Sequence, residues 1–324
     1  MKERIEVSAP GKLMLFGEHA VVYGRPCIVT AVDQRLRVKV EVKSGNSLEI
    51  NAPDVGVEGF KCVPKDSLTE DLPKGARFIA VAVNNFFNKY GVDAGMSVTT
   101  RSDFSSQFGF GSSSAATVGV VMALSEVFDL DLNKREIFDL SYKTVLDIQG
   151  VGSGFDIAAA IWGGTIYFVG GGKKITPLKL ESLPLIVGYT RVKADTATLV
   201  KKVAEFHENH KTLVNGIFDL MTKITNEARE ELSNNDFEAI GELMQINEGL
   251  LESLGVGSRE LSKLISAAKG SGAYGAKLSG AGGGDCMIAV ADNRKKKLVE
   301  KAIEFSGGQV LSVKTGAEGV RVEK

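Results

Sequence analysis

The chain has 324 residues, 44% of them hydrophobic and 24% charged, which is enough to bury one large core or two. A formal charge of −1 gives no general attraction to nucleic acid or to an acidic membrane, so small or locally steered ligands are expected. Cys27, Cys62 and Cys286 are widely spaced without a CxxC pair, and only three histidines are present. A disulfide framework and a structural zinc are therefore not expected, and the polar start Met1–Glu6 points to the cytoplasm.

In chain order, the first marked segment is Ala9-Pro-Gly-Lys12, leading through an apolar strand, Leu13–Phe16, into Gly17-Glu18-His19-Ala-Val-Val-Tyr-Gly24. Leu36, Val38, Val40 and Val42 alternate with charged residues and predict a half-buried strand. Phe78, Ile79, Val81, Ala82, Phe86 and Phe87 recur at helical spacing between about Arg77 and Tyr90. Met96–Thr100 predicts a strand, and a glycine turn then opens a long apolar helix carrying Ala115, Val118, Val121, Leu124 and Val127.

The segment after Phe128 predicts a helix, and Asp156 stands just before a second helical run, Ile157–Ala160. A strand over Thr165–Val169 is followed by Gly-Gly-Gly-Lys-Lys, a candidate domain edge. Leu183–Tyr189 predicts a strand, and 196–254 predicts two or three long charged helices, on which His207 and His210 are expected to be exposed. A helix over 258–273, a glycine turn, a strand over Cys286–Val290, a basic helix over Arg294–Phe305 and a closing strand complete the chain. This order predicts a split β-α-β layer.

The turn Phe108-Gly-Phe-Gly-Ser-Ser-Ser-Ala-Ala116 carries the most chemical information. Gly109 and Gly111 permit positive φ and close approach to a ligand, and the N-terminus of the following helix presents free N–H groups to an anion. The string is not a Walker A loop, and a dinucleotide fingerprint would need Gly or Ala where Ser114 stands. A plain helix cap is the alternative reading of the same serines. Lys277-Leu-Ser-Gly280-Ala281-Gly282-Gly-Gly-Asp-Cys286 supplies a second glycine-rich backbone nest.

Taken together, Pro10-Gly-Lys12, Gly17–Gly24, Gly109–Ser113 and Gly280–Gly284 resemble the signatures of the GHMP small-molecule kinases, and within them most closely the mevalonate kinases. Gln149-Gly-Val-Gly-Ser-Gly-Phe-Asp156 and Gly283-Gly-Asp-Cys286 are closer to phosphomevalonate kinases. The resemblance implies a two-domain α+β fold: an α/β domain like ribosomal protein S5 domain 2 over residues 1–178, and a ferredoxin-like split β-α-β domain over 179–324. It implies an ATP- and Mg²⁺-dependent kinase acting on mevalonate. Phosphomevalonate, or a non-catalytic nucleotide-binding regulator of the same fold, are the alternatives. A homodimer is the assembly it allows.

The resemblance further implies roles. Asp156 would take the proton of the acceptor hydroxyl and Lys12 would stabilise the alkoxide. Gly109, Phe110, Gly111, Ser112, Ser113, Ser114 and Ala115 would cradle ATP, with Ser113 also on Mg²⁺. Glu18, His19, Thr190, Thr196 and the backbone of Gly280, Ala281 and Gly282 would face the acceptor. Family members often carry a Mg²⁺-binding Glu eleven residues before the catalytic Asp, where this chain has Val145. Asp147, two positions on, is a metal candidate that needs a register change, since two residues turn a helix by roughly 200°. A common family Gly is Arg191 here.

Overall fold

The structure, a computed structural model, describes residues 2–66, 71–180 and 183–323. The first half is a mixed sheet covered on one face by helices. Its strands are β1 (Arg4–Phe16), β2 (Pro26–Lys43), β3 (Leu48–Ala52), β4 (Val57–Cys62), β5 (Gly95–Ser102), β6 (Thr165–Val169) and β7 (Lys174–Leu178). Four helices are inserted among them, α1 (Lys74–Tyr90) between β4 and β5, and α2 (Ser112–Val127), α3 (Lys134–Gln149) and α4 (Phe155–Trp162) in succession between β5 and β6. Strand β2 is long enough to pair twice, with β6 through residues 26–30 and with β5 through 36–43. All pairings in this sheet are antiparallel except β3 with β5.

Strand β1 runs straight through Pro10-Gly11-Lys12, farther than its apolar stretch indicated. A register shift between Pro10 and Gly11 absorbs the proline, which has no N–H to donate. Helix α2 lies against β1 and β2, with Val118, Val120, Val121, Leu124 and Val127 fully enclosed. Each such side chain contributes at most roughly 1.5–3 kcal/mol by leaving water. That burial fixes the position of the helix, and with it the glycine turn at its N-terminus.

The second half comprises β8 (Leu185–Tyr189), α5 (Thr196–Asn209), α6 (Lys211–Asn234), α7 (Phe237–Ser253), α8 (Arg259–Gly270), β9 (Gly275–Ser279), β10 (Cys286–Val290), α9 (Lys296–Phe305) and β11 (Gln309–Leu311). The sheet order β11-β8-β10-β9, all antiparallel, is the split β-α-β arrangement. The turn Gly170–Gly172 joins β6 to β7 inside the first sheet, which therefore extends to Leu178.

After β11 the chain crosses back. Thr315 bridges to Val32, Glu318 to Gly163, and β12 (Arg321–Val322) adds a strand beside Val7 and Ser8 of β1. The buried Arg35 clamps this return, donating to the carbonyls of Glu318 and Gly319 at 2.8 Å and to Ser8. One hydrophobic cluster spans both halves, since Ile224, Ala228 and Met244 from α6 and α7 join the first core.

Helix α7 approaches β9 through two glycines. A Cβ on Gly241 would stand 2.4 Å from the Tyr274 carbonyl carbon and 2.7 Å from Gly275 N. Gly241→Ala is accordingly expected to lower unfolding free energy by about 1–3 kcal/mol, read from the urea midpoint.

His207 is not exposed. It packs beside the stacked Tyr23 and Phe218 rings and meets Asn215 Oδ1 at 3.1 Å, because its turn of α5 faces the core, whereas His210 stays on the surface. Cys27, Cys62 and Cys286 are all buried. No described helix is long and apolar enough to cross a membrane, and no described group of three His, Cys, Asp or Glu could hold a metal ion by itself.

Candidate active site

Helix α2 begins at Ser112 with Gly111 as its N-cap, and no side chain caps it. The serines therefore do not cap their own helix, and the first-turn N–H groups face outward where an anion would satisfy them. Gly109 and Gly111 both take left-handed backbone conformations, at φ 73° and 78°, which brings the turn over the edge of β1.

Three elements meet at this turn. Lys12 of β1 donates its backbone N–H to Phe110 O at 3.0 Å and its ammonium to Gly109 O at 2.9 Å. Asp156, in the first turn of α4, comes in from the other side. The space a Cβ would occupy on Gly111 is bounded by Lys12 Cε at 3.3 Å and Asp156 Cβ at 3.7 Å. The loop Gly280–Asp285 closes the third side, with the Asp285 side chain seated directly on Gly109. Cys286 donates its thiol to Phe108 O at 3.2 Å, and Phe108 packs edge-on against Tyr189 at 5.1 Å.

The electrostatics follow from that geometry. Burial pushes the Asp156 carboxyl above its ordinary range, and the Lys12 ammonium works in the opposite direction. Lys12 is itself only 7% exposed, and its ammonium lies 5.2 Å over the Phe155 ring, which helps retain the charge out of water. A carboxylate and an ammonium thus flank one glycine turn at the positive end of a helix. This arrangement suits proton removal from a hydroxyl next to a transferring phosphoryl group.

Known proteins resemble this chain along its whole length. Residues 77–164 match the GHMP kinases N terminal domain and residues 228–307 the GHMP kinases C terminal. A mevalonate kinase of Pyrococcus abyssi is 36% identical, with the match covering 100% of this chain and 99% of that protein. The chain belongs to the GHMP kinase family. Among solved structures, Methanococcus jannaschii mevalonate kinase matches with a TM-score of 0.81 at 25% identity, covering 96% of this chain and 98% of that one. L. major mevalonate kinase in complex with R-mevalonate matches with a TM-score of 0.80 at 25% identity, covering 98% of each chain.

In this GHMP kinase the remaining signature residues fall into two groups. His19 reaches the cleft. Its backbone is left-handed at φ 58°, and its Nε2 meets Ala281 O at 2.9 Å. Burial lowers the imidazole pKa, so the ring is neutral near pH 7 and must donate from Nε2 to the carbonyl, leaving Nδ1 as an acceptor. Thr190, at the end of β8, is buried and donates to Asp285 O at 2.9 Å. The loop Gly280-Ala281-Gly282 lines the same side through its backbone, and Gly280 and Gly282 both have positive φ.

Glu18, Asp147 and Thr196 are not brought together with these. Glu18 is wholly enclosed. One carboxylate oxygen pairs with the equally buried Lys277 of β9 and the other accepts from Asn247 Nδ2 at 3.2 Å, so it touches protein groups only. Asp147 binds Asn85 Nδ2 of α1 at 2.8 Å and pairs with Lys143 on its own helix, as the rotation between positions 145 and 147 requires. Val145 is buried and looks toward Gly152. Thr196 is an exposed residue in the first turn of α5, which Asp195 caps. Arg191 takes φ 65°, which accounts for glycine being common there in the family, and its side chain is exposed.

Sequence reasoning missed Lys277, Glu248 and Asp285. Glu248 accepts from Leu278 N–H at 2.8 Å beside the Glu18 pair, and burial raises its carboxyl pKa. Lys277→Met is expected to strand Glu18 as an unpaired buried charge and to cost about 3–5 kcal/mol in urea denaturation. Adding Glu18→Gln should restore most of that loss. A double variant no more stable than Lys277→Met would contradict the pairing.

Proposed function

We propose that this chain transfers the terminal phosphoryl group of ATP to the primary hydroxyl of mevalonate, giving 5-phosphomevalonate and ADP. The observation that carries the reading is the confrontation of Lys12 and Asp156 across Gly111, at the uncapped N-terminus of α2. The acceptor is taken from the named relatives that match over the full length, and His19, Thr190 and the Gly280–Gly282 backbone are the polar groups this reading sets on the acceptor side.

The Asp156 carboxylate accepts the hydroxyl proton, the substrate oxygen bonds to the γ-phosphorus, and the bond to the β,γ-bridging oxygen breaks, its electron pair leaving with ADP. An alcohol is a far weaker acid than a carboxylic acid, so the proton moves only as the P–O bond forms, while Lys12 offsets the charge on the attacking oxygen. The amides of Ser112, Ser113 and Ser114 hold the phosphate oxygens.

The donor set fits a Mg²⁺ ion carried by the nucleotide. Val145 offers no oxygen and Asp147 is held by Lys143 and Asn85, which leaves the Ser113 hydroxyl as the protein ligand in this reading. Mg²⁺ commonly keeps several waters and binds through phosphates. When bound, it neutralises charge on the bridging and transferred oxygens.

A coupled ADP-release assay with mevalonate and with phosphomevalonate in parallel tests the assignment. Turnover of mevalonate is expected. Turnover of phosphomevalonate alone would reassign the acceptor, and no turnover of either would leave a nucleotide-binding protein without this chemistry.

A further inference from the structure

Asp285 occupies an unusual position for a charged residue. It is 8% exposed and takes a left-handed backbone, φ 55°, which a non-glycine residue adopts at a cost. Its backbone N–H and C=O and one carboxylate oxygen are tied to the loop 190–194. Its N–H donates to Val192 O at 2.8 Å, and its carbonyl accepts from both the N–H and the hydroxyl of Thr190 at 2.9 Å. Its Oδ1 accepts from Ala194 N–H at 2.9 Å and lies 3.5 Å from Lys193 Nζ.

The rest of the side chain rests on the phosphate turn. A Cβ on Gly109 would fall 2.5 Å from Asp285 Oδ2 and 3.0 Å from its Cγ, so the carboxylate lies flat on glycine backbone with no intervening side chain. The carbonyl of that same Gly109 receives the Lys12 ammonium. A continuous path of contacts therefore runs from Thr190–Ala194 through Asp285 and Gly109 to Lys12. A shift of the 190–194 loop on meeting an acceptor would press on the turn that holds the nucleotide.

We propose that Asp285 is a positioning residue that locks the 190–194 loop to the phosphate turn, so that nucleotide and acceptor each strengthen the binding of the other. This rests on the kinase reading above, in which Thr190 belongs to the acceptor side. The two loops come from different halves of the chain, and coupling between sites requires an element both ligands bias. Asp285 meets that requirement through hydrogen bonds on one side and direct packing on the other.

The test is calorimetric titration of a non-hydrolysable ATP analogue, with Mg²⁺, into the full chain with and without saturating mevalonate. In the wild type mevalonate should tighten the analogue by at least about fivefold, within the usual range of coupling between sites. Asp285→Gly suits the left-handed backbone and removes only the side chain, so Tm should hold while the coupling factor drops below about twofold. Asp285→Asn keeps an acceptor for Ala194 N–H and tolerates positive φ, and should preserve most of the coupling.

Retention of full coupling in Asp285→Gly overturns the proposal, as does its equal loss in Asp285→Asn or its absence from the wild type. A wild type that binds the analogue but turns over neither mevalonate nor phosphomevalonate sinks the underlying kinase reading instead, which the ADP-release assay reports separately.

Discussion

Asp156→Asn is expected to lower kcat by about 10³-fold while leaving nucleotide affinity nearly unchanged, as befits loss of a base that touches only the acceptor hydroxyl. The substitution is close to isosteric, so α4 should still form on its apolar face, Ile157, Ala158 and Ile161. Single-turnover kinetics would separate this from a binding defect. An unchanged chemical step would remove Asp156 from the mechanism. The wild-type enzyme should also show an acid limb. The carboxylate must be ionised to accept a proton and burial raises its pKa, so kcat falls as pH drops through a value above the ordinary one near 4.

Lys12→Met should have the second largest effect, about 10²–10³-fold in kcat, comparable to removing a preorganised charge or donor from an oxyanion site. It carries a diagnostic signature. Lys12 lowers the Asp156 pKa, so its removal should move the acid limb to higher pH, and a pH–rate profile reads the shift directly. An acid limb that stays in place would show that the two groups do not interact. Lys12→Arg should rescue poorly, because a planar guanidinium cannot replace a compact ammonium between Gly109 O and the Phe155 ring.

Much of the fold was legible because local patterns and tertiary burial agree. The alternation over 36–43 and the helical period in α1 each bury the face their spacing indicates, α2 is apolar enough to be buried nearly all round, and the charged run over 196–254 forms three helices. The glycine turn before α2 was readable for a similar reason, since Gly109 and Gly111 do take positive φ just where the apolar helix starts. What escaped depends on contacts between distant residues. Strand β1 looked short because Pro10 and Gly11 interrupt its propensity, yet a register shift carries the pairing with β2 past them. The short strands β3 and β4 went unread between turns.

The Glu18–Lys277 pair joins positions 259 apart, and no local signal links them. Glu18 sits within a signature beside a residue that does reach the cleft, so sequence alone assigned it the same task. The pair instead holds the turn carrying His19 against β9, where Ala281 O awaits the imidazole. Asp285 stood inside a glycine-rich string with no role assigned to it, because its contact with Gly109 joins positions far apart in the chain.

The crossing after β11 has a mechanical consequence. Between Leu311 and Thr315 the polypeptide returns from the second sheet to the first, and this strap is riveted to β1 and β2 by Arg35 and the 315–322 pairings. A return strap fixed in this way opposes wide swinging of one half against the other, and severing it should loosen the whole clasp.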